Sequence, residues 1–356
     1  MLWGGKNVYY LCNQRSAYPL SSNASLQIGP IAVSNRVVLA PMSGVTDIVM
    51  RRLAVRFGAG LAISEMVASA ELARGDDEAR LRAEGSGMPV HVVQLAGREP
   101  HWMGEATRAA EAAGADVVDI NMGCPAKKVT GGYSGSALLR DLDLAMSLID
   151  AVVAAATVPV TLKMRLGWDH DSIVAPELAA RAEAAGVQLV TVHGRTRQQF
   201  YTGTADWNAI RPVREATRLP LVANGDVVTL DDAPAMLAAS GADAVMIGRG
   251  AQGRPWFPGQ VARFLATGER MPDPDLDAQH AVASEHYEGL LELFGRDVGT
   301  RHARKHLGWY LDSASARAGV AVPVERRTAV MTASTPEAAR AALGEAYDDL
   351  RWRYAA

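Results

Sequence analysis

Short apolar segments alternate with longer amphipathic segments along most of the 356-residue chain. Most of these short segments are rich in Val, Ile or Leu, as expected for strands buried on both faces of a parallel sheet. The pattern predicts eight strands with helices between them. The predicted strands are residues 37–40, 61–64, 90–95, 117–120, 160–164, 189–192, 221–223 and 244–247.

Glycine turns separate helical segments from the strands that follow them. Four such turns contain Gly58, Gly114, Gly186 and Gly241, and glycine readily takes the left-handed conformation that ends a helix. Eight βα units within roughly 225 residues fit an α/β fold of the (β/α)8 TIM-barrel type, which usually has ~250 residues. A doubly wound open sheet is the alternative, but no Gly-x-Gly-x-x-Gly follows the first strand.

The hydrophobic pattern and the composition change after Trp256. A proline-bearing linker at 271–276 precedes a region that is rich in Ala, Arg, Glu and Leu and has no predicted strand. Residues 277–294, 299–317 and 335–354 are predicted helices, with a break at 319–323 and Ser334-Thr335-Pro336 starting the last helix. We expect three parts. They are a poorly ordered N-terminal extension or overlong start at 1–27, a barrel at 28–265 and a small all-α helical bundle at 277–356.

Composition and charge narrow the class of protein. The two cysteines, Cys12 and Cys124, exclude a disulfide scaffold and argue against a cysteine-built metal site, so we expect a reducing, cytoplasmic setting and no metal. No apolar run of ~18 residues suggests a membrane span, and no signal peptide is evident. A net charge of −3 is not the signature of a nucleic-acid binder, so any RNA-binding surface must be local.

Every predicted strand ends in a polar or glycine-rich cluster, and in a barrel the active site lies at those carboxyl ends. The clusters are Pro41-Met42-Ser43-Gly44, Glu65, Gln94, Asn121-Met122-Gly123-Cys124-Pro125, Lys163 with Arg165, His193-Gly194-Arg195, Asn224-Gly225-Asp226 and Gly248-Arg249-Gly250. Glycines after the seventh and eighth strands suit close approach to a phosphate, and Arg249 could pair with it. The alternative is that Gly225 and Gly248 only make tight turns.

Four side chains in these clusters suggest cofactor chemistry. Lys163 ends an apolar strand and needs an acceptor, either a flavin ring or a salt bridge to Glu65 or Asp119. Gln94 could bind a flavin edge or be a satisfied core amide, and His193 could bind phosphate or substrate or be structural. Cys124 lies in a loop, and no adjacent His or Asp indicates a hydrolase triad. Proton transfer therefore fits it better than acyl transfer, although a lone cysteine is commonly inert.

Several segments together resemble the tRNA-dihydrouridine synthases, over about residues 31–311. They are LAPMSGVTD at 39–47, DINMGCP at 119–125 with KKV at 127–129, VHGRTR at 192–197, NGD at 224–226 and GRG at 248–250. The Asn-x-Gly-Cys-Pro element followed by Lys-Val is highly specific. HARKH at 302–306, with Trp309 and Tyr310, resembles the bacterial B-type branch.

The resemblance implies a tightly bound FMN, NADPH as reductant, and reduction of the C5–C6 double bond of specific tRNA uridines. Cys124 would protonate carbon 5. Asn121, and Arg195 with it, would hold the uracil, which must leave its stack. The cofactor would contact Pro41, Met42, Ser43, Gln94, Lys163, His193, Asn224, Gly225, Asp226, Gly248 and Arg249.

The helical region is expected to bind tRNA through a basic cluster of His302, Arg304, Lys305 and His306, with a solvated helix face as the alternative. We expect a monomer. A barrel oxidoreductase acting on a small pyrimidine or enone, of the dihydroorotate dehydrogenase kind, is the alternative function. An inactive barrel that only binds a partner is a third.

Overall fold

A computed structural model describes residues 25–355 of the chain, and in it eight parallel strands close into a barrel. Each strand pairs with its neighbours in sequence, and the last pairs with the first. The predicted α/β barrel is thus confirmed and the open sheet is excluded. The barrel strands are β3 (Val37–Leu39), β4 (Leu61–Ala68), β5 (Val92–Ala96), β6 (Val117–Met122), β7 (Val160–Arg165), β8 (Leu189–His193), β9 (Leu221–Asn224) and β10 (Ala244–Ile247).

Helices surround the barrel, and their ends explain the glycine pattern. Gly186 and Gly241 end two of them with φ of 105° and 69°, the left-handed conformation expected there. The helices are α1 (Ile48–Arg56), α2 (Ser69–Ala73), α3 (Asp77–Ala83), α4 (Pro100–Ala112), α5 (Lys127–Thr130), α6 (Leu142–Ala155), α7 (Ala175–Ala185), α8 (Arg211–Ala216), α9 (Asp232–Ser240) and α10 (Phe257–Thr267).

A two-stranded antiparallel hairpin, β1 (Leu26–Ile28) and β2 (Ile31–Val33), precedes the barrel. Its buried side chains form one apolar cluster with residues that begin the barrel strands, such as Val117 and Leu189. The hairpin therefore covers the amino-terminal end of the barrel. Strand β1 begins inside the segment 1–27 for which an extension was expected, because alternate apolar residues bury there. Residues 1–24, with Cys12, lie outside the described residues.

Four helices follow the barrel: α11 (Leu276–Phe294), α12 (Arg296–Ala318), α13 (Val324–Thr332) and α14 (Pro336–Ala355). Three of them were predicted. Gly319 ends α12 at the predicted break, and the Thr335 hydroxyl accepts a hydrogen bond from the Ala338 amide at the start of α14. Helix α13 was missed because Val330 is its one buried residue, too little to give an apolar pattern.

The helical region packs on the barrel through an apolar core that joins Trp256 and Leu53 to side chains of α11, α12 and α14. Arg56 of α1 and Glu285 of α11 add an ion pair of 2.5 Å across the same contact. None of the described helices is both long and apolar enough to cross a bilayer. The packing places α12 beside the loop that leaves β3.

Candidate active site

A cavity of about 680 Å³ opens at the carboxyl ends of the barrel strands. All the residues predicted to bind the cofactor line it: Pro41, Met42, Ser43, Gln94, Lys163, His193, Asn224, Gly225, Asp226, Gly248 and Arg249. Asn121 and Cys124 line it as well. Arg195, Arg304 and Lys305, the other predicted substrate residues, do not.

A chain of buried hydrogen bonds forms one side of the cavity. Thr161 and Gln94 donate to the two carboxylate oxygens of Asp119, each at 2.6 Å. Asn121 donates to the Gln94 carbonyl oxygen at 2.7 Å, and its own oxygen accepts from the amides of Gly123 and Cys124. The sequence places these residues on neighbouring strands at matching heights. This series of hydrogen bonds therefore fixes the start of the loop that carries Cys124.

Asn121 and Gln94 keep some hydrogen-bonding capacity for a ligand. The Asn121 oxygen uses both lone pairs on the loop amides, but its NH₂ group has two hydrogens and donates one to Gln94. Gln94 likewise keeps one N–H and one lone pair. The expectation that Gln94 is a satisfied core amide is therefore only partly met, because the side chain also faces the cavity.

The thiol of Cys124 is half-buried in the cavity wall. Burial raises its pKa above the ordinary value, against the smaller opposing effects of the Ala126 amide and Arg165. Ser136 donates to the Cys124 carbonyl oxygen at 2.9 Å, which holds the other side of the loop. A thiol that stays protonated at neutral pH can give a proton but is a poor nucleophile.

The side chain of Lys163 lines the cavity and forms no hydrogen bond or salt bridge with the described residues. Neither acid named as an alternative partner forms a salt bridge with Lys163. Asp119 accepts from Gln94 and Thr161, and Glu65 accepts from the Gly44 amide. Burial lowers the pKa of Lys163 to about 8, and Asp119 only partly opposes this. A partly buried ammonium group in this state gains from an anionic or hydrogen-bond-accepting ligand.

His193 lines the same region as a neutral imidazole, since burial and four nearby cations hold its pKa well below the ordinary value. Its Nε2 lies 3.4 Å from a guanidinium nitrogen of Arg195. A neutral ring can accept a hydrogen bond at one nitrogen and donate at the other. His193 thus suits a polar ligand edge better than a charge-charge contact with phosphate.

Asp226 organises the wall formed by the seventh and eighth strand ends. Its carboxylate accepts two bonds from Arg195, at 2.6 and 2.9 Å, and one from Arg249 at 2.9 Å. Burial raises the pKa of Asp226, but these partners outweigh it and leave the pKa below the ordinary range. Gly225 has φ 132°, and a Cβ there would lie 2.6 Å from Ala205, so glycine is required.

Arg195 is fully buried, at 1% exposure, and its guanidinium also donates to the carbonyl oxygens of Thr202 and Gly203. This arrangement favours a positioning role over contact with the base. We expect Arg195→Met to lower the free energy of unfolding by about 3–5 kcal/mol, because it leaves the Asp226 carboxylate without its buried partner. Urea unfolding of the apoprotein measures this.

Arg249 provides the matched control, since it pairs with the same Asp226 from a half-exposed position. We expect Arg249→Met to cost about 1 kcal/mol or less. Unchanged stability of Arg195→Met together with lost activity would instead place Arg195 against the substrate.

Three cavity residues were not assigned a role from the sequence. Arg165 is buried and donates to the carbonyl oxygens of Gly123, Thr196 and Phe200, so it ties the Cys124 loop to the loop after β8. Tyr201, 47% exposed, lies between Arg165 and Arg249, whose guanidinium carbons are 5.5 and 5.3 Å from its ring centre. Arg165 was detectable, because it follows Lys163 by two positions and points to the same side of the strand. Phe200 and Tyr201 carry no such signal.

The predicted basic cluster on α12 does not form an exposed positive surface. His306 is buried at 3% exposure, and burial lowers the pKa of both His302 and His306, so both are neutral. Arg304 donates to the Ala333 carbonyl oxygen at the end of α13. Lys305 is half-buried, with its ammonium beside Gly44 and 3.4 Å from His302. Because α12 packs two of its faces inside the protein, the two histidines add no positive charge, and the tRNA contact expected of Arg304 and Lys305 stays a prediction.

The closed barrel, the cavity at the carboxyl ends of its strands and the Cys124 thiol in the cavity wall are the architecture of a barrel enzyme. The chain belongs to the dihydrouridine synthase family: residues 38–344 match the family described as "Dihydrouridine synthase (Dus)". The family predicted from the motifs is thereby confirmed.

Named relatives are similar over nearly their whole length. The chain is 56% identical to a "Probable tRNA-dihydrouridine synthase" of Rhizobium leguminosarum bv. phaseoli, over 89% of this chain and 97% of that protein. It is 46% identical to "tRNA-dihydrouridine synthase B" of Xanthomonas axonopodis pv. citri, over 91% and 96%. A solved histamine dehydrogenase from Rhizobium sp. 4-9 aligns at 13% identity and a TM-score of 0.51, over 93% of this chain and 64% of that one, which shows the fold alone.

Proposed function

We propose that this chain is a tRNA-dihydrouridine synthase that reduces the C5–C6 double bond of uridines in tRNA, with FMN as bound cofactor and NADPH as reductant. Family membership and the names of the relatives support the reaction and the substrate. One observation assigns the reaction to this cavity: the half-buried Cys124 thiol lies in the same cavity as an unpaired lysine, Lys163.

The residues present fit a flavin mononucleotide. The cavity lies within the roughly 300–1,000 Å³ usual for small-molecule sites. Lys163 and the free N–H of Gln94 face one part of it, where the polar edge of a flavin ring would accept hydrogen bonds. Arg249, half-exposed at the strand ends of β9 and β10, would pair with the phosphate. When bound, the flavin supplies the hydride that goes to carbon 6 of the base.

Cys124 would supply the proton for carbon 5. Its thiol stays protonated at neutral pH because burial raises its pKa. The loop is held by Asn121, Ser136 and Arg165, which limits how far the sulfur can move from the base. The remaining N–H of Asn121 would bind the uracil, whose carbonyl oxygens are acceptors.

The tRNA would bind at the rim of the cavity, above the Cys124 loop. Lys127 is exposed on α5, directly after that loop, and Arg197 reaches the same helix through a 3.4 Å hydrogen bond to Thr130. Arg140 and Arg197 lie over the Trp168 ring, 4.8 and 4.6 Å from its centre. Cations interleaved with aromatic rings are typical of surfaces that bind single-stranded or flipped nucleotides. This rim is therefore proposed as an RNA contact, and the contact through Arg304 and Lys305 stays a prediction.

We expect Lys127→Glu with Arg197→Glu to weaken tRNA binding by roughly tenfold or more and to flatten its dependence on salt, because two phosphate contacts are lost. Filter binding of tRNA at several salt concentrations measures both effects. Arg108→Glu with Arg181→Glu is the control, because Arg108 is exposed on α4, Arg181 is partly exposed on α7, and neither lines the cavity. Equal losses in both pairs would mean that the effect is not local.

An assay of the purified chain on three substrates tests the whole proposal. We expect FMN to copurify, and NADPH oxidation to depend on tRNA, with dihydrouridine appearing in the tRNA by mass spectrometry. Free uracil and orotate should not react. Turnover of the free pyrimidine alone would support the small-molecule alternative, and a chain that takes up no flavin would support a binding protein.

A further inference from the structure

Three polar side chains meet in a buried position between the barrel and the helical region, outside the cavity. They are Asp47 at the start of α1, His286 on α11 and His306 on α12, and each is at most 3% exposed. One ligand atom of each lies within 4.8 Å of the others. The two imidazole rings are 4.6 Å apart, centre to centre.

Each of the three residues has a buried atom without a hydrogen-bond partner: Oδ2 of Asp47, Nε2 of His286 and Nε2 of His306. Burying one such atom unpaired is costly, and three in one place indicate a missing partner. From these contacts we propose that Asp47, His286 and His306 bind a divalent transition-metal ion of the Zn²⁺ type.

The other atoms of two of these side chains are already held, as in known metal sites. The Nδ1 of His286 lies 3.1 Å from the Tyr310 hydroxyl, which orients the ring and leaves Nε2 for a ligand. Oδ1 of Asp47 accepts from the amides of Val49 and Met50, which leaves Oδ2. Metal-binding histidines and carboxylates are commonly oriented by such second contacts.

The donor set selects the class of ion. Two imidazole nitrogens and one carboxylate oxygen suit Zn²⁺ and its first-row neighbours, whereas Ca²⁺ and Mg²⁺ prefer oxygen ligands. A water molecule would complete a tetrahedral site. With bonds of about 2.1 Å the ligand atoms would lie roughly 3.4 Å apart, so the three side chains would draw slightly together on binding. Burial keeps both imidazoles neutral, the form that binds metals.

The charges around the site partly oppose a cation. Lys305 and Arg51 lie near enough to affect these groups, while Glu65 lies beside Lys305 and offsets it. We therefore expect Lys305→Met to bind the ion more tightly than the unmodified chain. A bound ion would join the loop that contains Pro41, Met42 and Ser43 to helices α11 and α12.

The test measures metal in the full-length protein, purified without a polyhistidine tag. Elemental analysis should find about one zinc-class ion per chain. After removal by a chelator, added Co²⁺ should restore about one ion per chain and give the visible absorption of a tetrahedral site. His286→Gln and His306→Gln should lose the ion, and His280→Gln should keep it. His280 lies on the same helix as His286 but stacks on Tyr347, outside the cluster.

Three results would overturn the proposal. The first is the absence of metal in protein from zinc-supplemented cells together with no Co²⁺ uptake, which would indicate an ordered water at this place. The second is metal that both His286→Gln and His306→Gln retain. The third is equal loss in the His280→Gln control. If the cluster variants do not fold, the Co²⁺ titration of the unmodified chain still decides the question, and it is independent of any activity on tRNA.

Discussion

Cys124→Ala is expected to slow dihydrouridine formation by about 10²–10⁴-fold, the usual contribution of a positioned general acid. The reason is that the methyl group of alanine has no proton to give to carbon 5. Reduction of the bound flavin by NADPH should stay near normal, since that half of the reaction needs no proton from the thiol. Stopped-flow absorbance of the flavin separates the two steps.

Cys124→Ser is the matched control for the size of the side chain. Its hydroxyl is a much weaker acid than the thiol, so we expect a rate between those of the alanine variant and the unmodified chain. If the alanine variant formed dihydrouridine at the normal rate, Cys124 would not be the acid. If both steps slowed equally, the thiol would be needed for the loop rather than for the proton.

Lys163→Ala is expected to weaken FMN binding by about tenfold to a hundredfold, the range for losing a hydrogen bond to a charged group. The ammonium group has no partner among the described residues, so its removal leaves no protein acceptor unsatisfied. Fluorescence titration of the apoprotein with FMN gives the Kd. Lys127→Ala, exposed on α5, is the control and should leave the Kd unchanged.

The same lysine predicts how FMN binding depends on pH. The pKa of Lys163 is lowered to about 8 by burial in the apoprotein, so the group is charged below pH 8 and neutral above it. An anionic or acceptor ligand favours the charged form. The Kd for FMN should therefore rise as the pH passes 8, by up to about tenfold per unit. Lys163→Ala should remove this dependence, and a Kd that rises equally in both proteins would contradict the assignment.

The barrel could be predicted from the sequence because its strands are short, apolar and evenly spaced. The eight predicted strands are all present, within a few residues of their predicted ends. Two elements could not be found this way. The hairpin β1–β2 has three-residue strands, and α13 buries a single side chain, so neither gives a periodic pattern long enough to recognise.

The cavity was predictable for a related reason: strand ends meet at one rim, so polar residues placed there must be close in space. Interactions between residues far apart in the sequence could not be predicted. Nothing in the local sequence shows that Arg195 pairs with Asp226, or that His306 turns inward to meet His286 and Asp47. The basic run at 302–306 looked like a surface because its partners lie on other elements.

The hairpin at the amino-terminal end of the barrel bears on how the proposed substrates would reach the cavity. Its apolar side chains fill that end, so within residues 25–355 a ligand reaches the cavity from the carboxyl ends of the strands. A nicotinamide ring and a uracil base would both arrive through this one entrance and face the same group. If both bind as proposed, the oxidised nicotinamide would have to leave before a tRNA docks, and the two substrates would take turns rather than bind together.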